Sequence, residues 1–407
     1  MRFENKWLIP SVTAFAVALA SGASLAGDYG PGASDTEIKI GNTNPYSGPA
    51  SAYGTIGKAV SAYIKMINAS GGINGRKINF VTLDDGYSPP KTVEQVRKLV
   101  EQEKVLFLFQ NLGTPTNSAI HKYVNKKKVP HLFVATGATK WGDPEKFPWT
   151  MGWQPNYQTE GAVYGAYILK NVKDPKVAIL FQNDDYGKDY VIGLKAGLGS
   201  MADKVIVKMA SYETSDPTVD SQIVTLKNSG ANVFVNVTTP KFAAQAIRKV
   251  YDIGWKPLHF LNNVSTSTTR VMKPAGFEKG VGIISSAYLK DPSDPQWQND
   301  KAYKDWVAWM KKFYPDGNIG NSFNAYGYTA AQTIEHVLKN AGDNLTRENI
   351  MKQAANIKDL ALPMLLPGIK INTSPTDYRP IEQMQLQKFN GKSWELFGDI
   401  ISGESGS

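Results

Sequence analysis

The sequence predicts an α/β protein built on two similar parallel β-sheets that follow one another along the chain. Strand-like and helix-like segments alternate from about residue 36, the alternation pauses in a stretch rich in Trp, Pro and Gly at 141–155, and it then restarts. Alternating strands and helices form right-handed βαβ units, which build parallel sheets. The chain of 407 residues is also long enough for two hydrophobic cores.

The first half contains four predicted strands and three predicted helices. Between residues 56 and 67, apolar side chains recur at the spacing of one buried helix face, and Gly71-Gly72 ends this helix. The run 105–109 is continuously apolar, which is typical of a strand buried on both faces of a sheet. The strands are predicted at 38–41, 78–83, 105–109 and 129–135, and the helices follow residue 49 and span 92–103 and 116–127.

The second half repeats this pattern and then departs from it. Residues 296–356 have helical periodicity, and strand character returns only near the end of the chain. A helical block followed by late strands indicates that the chain crosses more than once between two lobes, which could hinge about a cleft. The strands are predicted at 176–181, 205–210, 233–237, 258–261, 281–285, 369–371 and 384–389, with a helix at 243–251.

The composition excludes several classes of site. The 45 basic and 36 acidic residues give a net charge of +9, but the basic residues are dispersed and their densest run is 126–128. We therefore expect no nucleic-acid binding. The chain has no cysteine, which excludes disulfides, thiolate metal sites and cysteine nucleophiles.

The N-terminus has the three-part order of a secretory signal peptide. Arg2 and Lys6 precede an apolar segment at 12–20, and Ser24-Leu25-Ala26 supplies a small-x-small cleavage site. The apolar segment is shorter than the roughly 20 residues that span a bilayer, and no cysteine follows that could carry a lipid. We expect residues 1–26 to be cleaved and the mature protein to be soluble and periplasmic.

No enzymatic constellation is present in the sequence. It contains no G-x-S-x-G elbow, Walker A loop, H-E-x-x-H motif or G-x-G-x-x-G after a strand, and its four histidines fall on different elements. The carboxylate pairs 84–85 and 184–185 end strands, where they could act in acid–base or metal chemistry or simply cap the following helices. We favour the capping role, and we predict no enzymatic activity, no cofactor and no metal.

Three loops in the first half combine glycine with hydroxyl or amide residues. They lie at 44–49, 110–115 and 136–139, each between a strand and a helix. Ligands of open α/β sheets bind beyond the carboxyl ends of the strands, and exposed N–H groups at a helix start attract anions. These loops could be ordinary turns, but three in one predicted sheet favour a cradle for a carboxylate.

The sequence resembles the branched-chain amino-acid-type periplasmic binding proteins of ABC importers over roughly residues 36–400. The most specific match is Asn68-x-x-Gly71-Gly72-Ile73-Asn74-Gly75 after an amphipathic helix. The other matching residues are Ser47-Gly48-Pro49 with Tyr53-Gly54, Asp84-Asp85, Thr136-Gly137-Ala138-Thr139, Asp185-Tyr186-Gly187 and Gln245-Ala246-Ile247-Arg248.

The resemblance implies two Rossmann-like lobes joined by three hinge crossovers, the type I periplasmic binding protein fold. Lobe one would hold residues 36–154 and 288–366, and lobe two 155–287 and 367–402. A small carboxylate would be enclosed between the lobes and presented to importer permease subunits. We expect the protein to be a monomer.

The resemblance also implies a set of ligand contacts. The carboxylate would lie on N–H and hydroxyl groups of the second and third loops, and tyrosines would close over it. These contacts are Leu112, Gly113, Thr114, Thr136, Gly137 and Thr139 for the carboxylate, Tyr53 and Tyr186 for closure, and Thr239 as a further contact in lobe two. From residue chemistry alone, the Asn263 amide suits a polar but uncharged end of the ligand, and Tyr46, Tyr157 and Phe323 could line the crevice as aromatic walls.

One departure from the family pattern bears on the ligand. Amino-acid binders of this family place an acidic residue after the strand near 258–261, where it neutralises the ligand ammonium, because a buried ammonium needs such a partner. Here that loop is Asn262-Asn263-Val264-Ser265-Thr266-Ser267-Thr268, without an acid. We therefore predict a carboxylate without an amine, such as an aromatic acid, unless Asp184, Asp185 or Glu160 replaces the missing partner.

Three alternatives stay open at this stage. The same fold could deliver its ligand to a signalling receptor, it could bind a branched-chain or other amino acid after all, or the carboxylate pairs could serve a periplasmic enzyme. The first two need only a closing cleft, so the sequence does not separate them from solute import.

Overall fold

Within residues 27–403, twelve strands form two sheets. The structure is a computed structural model, and it describes residues 1–4 and 27–403; most of the predicted signal peptide lies outside the described residues. The strands are β1 (Glu37–Asn44), β2 (Lys77–Asp84), β3 (Phe107–Phe109), β4 (His131–Val134), β5 (Thr150–Gly152), β6 (Val177–Gln182), β7 (Ile206–Tyr212), β8 (Val233–Val237), β9 (Leu258–Leu261), β10 (Ile284–Ala287), β11 (Gln383–Phe389) and β12 (Trp394–Ser402).

Helices connect most of these strands. They are α1 (Gly54–Ala69), α2 (Pro89–Arg97), α3 (Thr114–Lys126), α4 (Tyr157–Asn171), α5 (Asp185–Leu198), α6 (Ala202–Val205), α7 (Asp220–Asn228), α8 (Pro240–Asp252), α9 (Lys273–Ala275), α10 (Lys301–Phe313), α11 (Ser322–Ala341) and α12 (Arg347–Ala354). None of the helices in the described residues is long and apolar enough to cross a membrane.

The two sheets repeat one strand order. The first is β2-β1-β3-β4-β5, and the second contains β7-β6-β8-β9-β10 in the same relative order, with every neighbouring pair in these two sets parallel. In this order the direction of winding reverses between the first and third strands of each set, and ligands of such sheets bind at that reversal. The prediction of two similar α/β units in series is therefore confirmed.

The second sheet is not purely parallel. Strands β11 and β12 extend it beyond β10, and both pairings are antiparallel, with Ile284 opposite Lys388 and Phe389 opposite Trp394. The chain reaches β11 only after α10–α12, so it enters the sheet from the other end. The expectation of parallel strands throughout is wrong for these two.

Other differences from the predicted elements are local. The predicted strand at 369–371 is wrong: Pro367 and Gly368, the latter at φ +93°, turn the chain just before it, and Ile371 makes only an isolated bridge with Leu360. The helical block 296–356 is three helices, each begun by a side-chain cap from Asp300, Asn321 or Thr346. Strands β5 and β12 were not predicted.

The hydrophobic cores follow the sheets. One core joins β1 and β3 to helices α1 and α11, and further clusters cover both faces of the second sheet. The first core continues through Leu366, the predicted end of its second segment, to Ile369, Ile371 and Ile381. The division into two lobes at the predicted residues stays a prediction, and this packing favours a last crossing nearer to β11.

Candidate ligand-binding site

A cavity lies beyond the carboxyl ends of the strands of both sheets. Its empty volume is about 830 Å³, part of it open to solvent. Residues that follow β1, β2, β3, β4 and β5 line one side, and residues that follow β6, β8, β9 and β10 line the other. This is the position at which open α/β sheets bind ligands.

Nine of the thirteen residues predicted from the sequence line this cavity. They are Tyr53, Leu112, Gly113, Thr114, Tyr157, Tyr186, Thr239, Asn263 and Phe323. Two pairs of these aromatic rings are in contact. The ring centres of Tyr53 and Phe323 lie 5.1 Å apart, and those of Tyr157 and Tyr186 lie 5.2 Å apart. The structure thus brings together residues that are up to 270 positions apart in the chain.

The other four predicted residues lie elsewhere. The Tyr46 hydroxyl is 2.6 Å from the Thr82 hydroxyl, against the first sheet. Thr136, Gly137 and Thr139 line a smaller depression that borders the cavity at Gln154. The polar groups of the third loop are also engaged within the protein, because the Thr136 hydroxyl lies 2.5 Å from that of Thr114, the Gly137 carbonyl accepts from the Tyr157 N–H at 2.8 Å, and the Thr139 N–H donates to Asp189 at 2.7 Å.

The carboxylate cradle is smaller than the sequence suggests. The Leu112 N–H donates to the Thr43 carbonyl at 3.2 Å and the Gly113 N–H to the Ala135 carbonyl at 3.3 Å, so neither is free for a ligand. Thr114 begins α3, and its hydroxyl lies 2.5 Å from that of Thr136. Its main-chain N–H points out of the helix N-terminus, where anions are stabilised. Among these three residues, Thr114 is therefore the one whose main-chain N–H is not engaged by a bond within the described residues.

Gly113 is required by the shape of the same loop. Its φ of +99° is disfavoured for other residues, and a Cβ here would lie 2.4 Å from the Tyr87 ring. The ring of Tyr87 thus packs directly on the main chain at the start of α3.

Several lining residues were not predicted. They include Tyr87, Gln154, Tyr288, Lys290, Asp291 and Tyr326. Tyr87 follows Asp84-Asp85 at the end of β2, and the carboxylate pair does cap this turn: Asp85 accepts from the Tyr87 N–H at 3.0 Å and from the Thr92 hydroxyl at 2.9 Å. Because Tyr87 follows a predicted strand, its position in the sequence could have identified it as a lining residue. Tyr288, Lys290 and Asp291 follow β10, whose position as a strand the sequence predicts.

The walls of the cavity are aromatic and neutral. Six tyrosines line it, at positions 53, 87, 157, 186, 288 and 326, together with Phe323. Burial raises the pKa of each tyrosine above its ordinary value of 10, so all six keep their protons at neutral pH. They offer ring faces for stacking and hydroxyl groups for hydrogen bonds.

Only two charged side chains are found among the described lining residues, and each has a partner within the protein. Lys290 is 2.9 Å from Asp300, and Asp291 accepts from the Ser293 N–H at 2.7 Å and from its hydroxyl at 2.5 Å. Burial raises the pKa of Asp291 to about 6. No group of three or more His, Cys, Asp or Glu side chains in the described residues could hold a metal ion.

The three acids considered as substitutes for the missing ammonium partner do not line the cavity. Asp184 caps α5 by accepting from the Gly187 N–H at 3.2 Å, and Asp185 pairs with Lys140 at 2.7 Å near the surface. Glu160 is fully buried on α4, behind Asn263. Of the acids in the described residues, Asp291 is the one at the cavity wall.

The comparisons with known proteins agree with this geometry. The family model described as periplasmic binding protein matches residues 37–393. A Leu/Ile/Val-binding protein homolog 1 from Brucella abortus is 27% identical over 333 residues, covering 81% of this chain and 86% of that protein.

Two solved structures are similar in fold. A branched-chain amino acid ABC transporter protein from Thermus thermophilus with bound valine superposes with a TM-score of 0.80 at 16% identity, covering 90% of this chain and 97% of that one. A fatty acid ABC transporter substrate-binding protein from Thermomonospora curvata gives a TM-score of 0.75 at 21% identity, covering 93% and 96%. The family match spans most of the chain and both sheets, and the chain therefore belongs to the periplasmic binding protein family, whose members bind solutes and are not enzymes.

Proposed function

We propose that this protein captures a small carboxylate without an amino group, with an aromatic acid as the leading candidate, and presents it to the permease of an ABC importer. As a family member, the chain is a solute-binding protein of the ABC transporter type. The proposal concerns the solute and its delivery. It also includes the two lobes that would close on the ligand.

The observation that supports this proposal best is the chemistry of the cavity wall. Seven aromatic residues surround a space whose two charged side chains are already paired or hydrogen-bonded within the protein. The loop after β9 presents Asn263 and no acid. An aromatic ring would stack on the tyrosines, and its carboxylate would lie at Thr114 and the N-terminus of α3.

The two solved structures are associated with two different kinds of carboxylate ligand. One has valine bound, and the other is named for fatty acids, which are carboxylates without an amine. The family fold therefore accommodates both kinds of ligand, and the cavity wall of this chain favours the second kind.

An amino acid is the second candidate, and Asp291 is the observation that favours it. Its carboxyl lies at the cavity wall and could pair with an ammonium group. Against this, its pKa near 6 and its two hydrogen bonds from Ser293 leave it only partly available.

A thermal-shift screen separates the two candidates. The panel contains leucine, valine, a dicarboxylate, benzoate, hydroxybenzoates and a short fatty acid. A ligand at 100 times its Kd stabilises the folded protein by about 2.7 kcal/mol, which is a readily measured shift. We expect the aromatic acids to stabilise the protein; tight binding of leucine with no effect of any benzoate contradicts the proposal.

A further inference from the structure

Glu160 is a buried carboxylate that does not touch the cavity but holds a residue that does. One carboxylate oxygen, Oε1, accepts from the main-chain N–H of Asn263 at 2.8 Å and from the Tyr164 hydroxyl. The other, Oε2, accepts from the Asn263 side-chain Nδ2 at 2.5 Å and from the Tyr190 hydroxyl at 2.5 Å. Asn263 is thus fixed by Glu160 through both its main chain and its side chain.

This arrangement decides which end of the Asn263 amide faces the ligand. Because Nδ2 is turned toward Glu160, the side-chain oxygen Oδ1 is the branch that remains for the cavity, which Asn263 lines. The residue is 9% exposed, and its hydrogen bonds within the described residues use its main-chain N–H, its main-chain carbonyl and Nδ2, which leaves Oδ1 for the cavity. An acceptor that the protein leaves open at a cavity wall favours a ligand that donates to it, because a ligand without a donor there would exclude water and leave the acceptor unpaired.

The orientation does not depend on the charge of Glu160. Burial raises the pKa of Glu160 to about 7, so both forms occur near neutral pH. A proton on Oε2 can be donated to the Tyr190 oxygen while Oε2 still accepts from Nδ2 of Asn263. In both forms an oxygen faces each Asn263 donor.

We propose that Glu160 is a positioning residue that turns the Asn263 oxygen into the cavity, and that the ligand is therefore a carboxylate carrying a hydroxyl donor at the end opposite its carboxylate. This inference rests on the proposed function and narrows it to hydroxylated aromatic acids. The carboxylate of the ligand binds at Thr114, and its hydroxyl group donates to the side-chain oxygen of Asn263.

Glu160→Gln is the variant that tests this orientation. The Gln amide nitrogen cannot face the Asn263 N–H, so it takes the place of Oε2, where it donates toward the Asn263 side chain. The Asn263 amide then turns over, and Nδ2 faces the cavity in place of Oδ1. The variant converts the cavity wall from acceptor to donor without changing its shape.

The experiment compares hydroxybenzoate with methoxybenzoate, each as the meta and para isomer, by calorimetric titration. A methoxy oxygen accepts but does not donate, so it suits only the reversed amide. For the better isomer we expect the wild type to bind the hydroxy acid about tenfold or more tightly than the methoxy acid. In Glu160→Gln the ratio of the two affinities is expected to fall to within threefold. The extra methyl group of the methoxy acid is present in both titrations, so its steric effect cancels when the ratios of the two proteins are compared. Glu278→Gln, the same change at an exposed position, is expected to keep the wild-type ratio.

Each result has a distinct meaning. If no benzoate of any kind binds the wild type, the proposed function is overturned and this inference with it. If benzoates bind but the wild type shows no preference for the hydroxy acid, the inference alone is overturned, and this result needs no variant to fold. If the preference survives unchanged in a folded Glu160→Gln protein, Glu160 does not orient Asn263.

Discussion

The two sides of the cavity are built from the same strand order but offer a ligand different groups. On the side of the first sheet, Thr114 presents a main-chain N–H at the start of α3, and most neighbouring N–H groups are consumed within the loops. On the side of the second sheet, Asn263 presents a side-chain oxygen whose direction is set by a buried acid. A helix N-terminus accepts any carboxylate, whereas an oriented amide distinguishes a donor from an acceptor. We therefore propose that the first side binds the anion and that the second side selects among anions.

The support behind the two sides also differs. Helices α4 and α5, which carry Glu160 and Tyr190, approach closely because glycines face each other: a Cβ at Gly193 would lie 2.0 Å from the Gln158 carbonyl oxygen, and one at Gly197 would lie 2.1 Å from that of Ala162. Tyr157, Tyr164, Tyr186 and Tyr190 all lie on these two helices. Under this proposal, selectivity depends on the close spacing of α4 and α5, and anion binding depends on one loop.

The largest expected effect concerns the charge of Glu160. Burial raises its pKa from an ordinary value of 4.5 to about 7, so the stability that it contributes is fully present below pH 4.5 and is lost as the pH rises through 7. This shift corresponds to a loss on the order of 3 kcal/mol. The free energy of unfolding of the wild type should therefore fall by that amount between pH 4.5 and 8 relative to Glu160→Gln, measured by urea denaturation. Parallel pH profiles of the two proteins would show that the carboxyl titrates normally.

Gly193→Ala should have the next largest effect, a loss of stability. Its new methyl group would meet the Gln158 carbonyl at 2.0 Å, so α4 and α5 must separate, at a cost of about 2 to 3 kcal/mol in unfolding free energy. The neighbouring Ile192→Ala removes a side chain that is 52% exposed and should change stability by less than about 0.5 kcal/mol. Equal melting temperatures for the two variants would contradict the role assigned to the glycines.

Thr114→Val should weaken binding on the first side. It keeps the main-chain N–H but removes the hydroxyl, which can donate to the carboxylate while it accepts from the Thr136 hydroxyl. Loss of one hydrogen bond to a charged group costs about 1.5 to 3 kcal/mol, or at least tenfold in Kd for benzoate. Thr139→Val serves as the control, because Thr139 lines the smaller depression and not the cavity. The benzoate affinity of this variant should stay within twofold of that of the wild type. A larger loss of benzoate affinity in Thr139→Val than in Thr114→Val would show that the carboxylate binds at the third loop.

Asp291→Asn should have the smallest effect if the ligand has no amine. Its benzoate affinity should stay within about threefold of the wild type, with any change toward tighter binding, since a negative charge at the wall is removed. For an amino-acid ligand the same change removes the ammonium partner and should cost tenfold or more. Titration of both proteins with benzoate and with leucine distinguishes the two cases.

The amino-acid sequence is sufficient to predict the repeated α/β architecture, because hydrophobic periodicity is a local property of the chain. Predicted strands at 233–237 and 258–261 match β8 and β9 residue for residue. It also determined the loops after the strands as the place to look for a site, since that position follows from the topology of parallel sheets.

The tertiary structure alone decided which of those loop residues face the cavity and which bonds they already make. Nothing local to Leu112 or Gly113 indicates that its N–H is consumed within the protein, because the partners lie 69 and 22 residues away in the chain. The same holds for Glu160 and Asn263, which are separated by 103 residues and meet only when α4 packs against the end of β9. Hydrogen bonding is short-ranged and directional, so the use of a polar group is fixed by its neighbours in space and not by its neighbours in sequence.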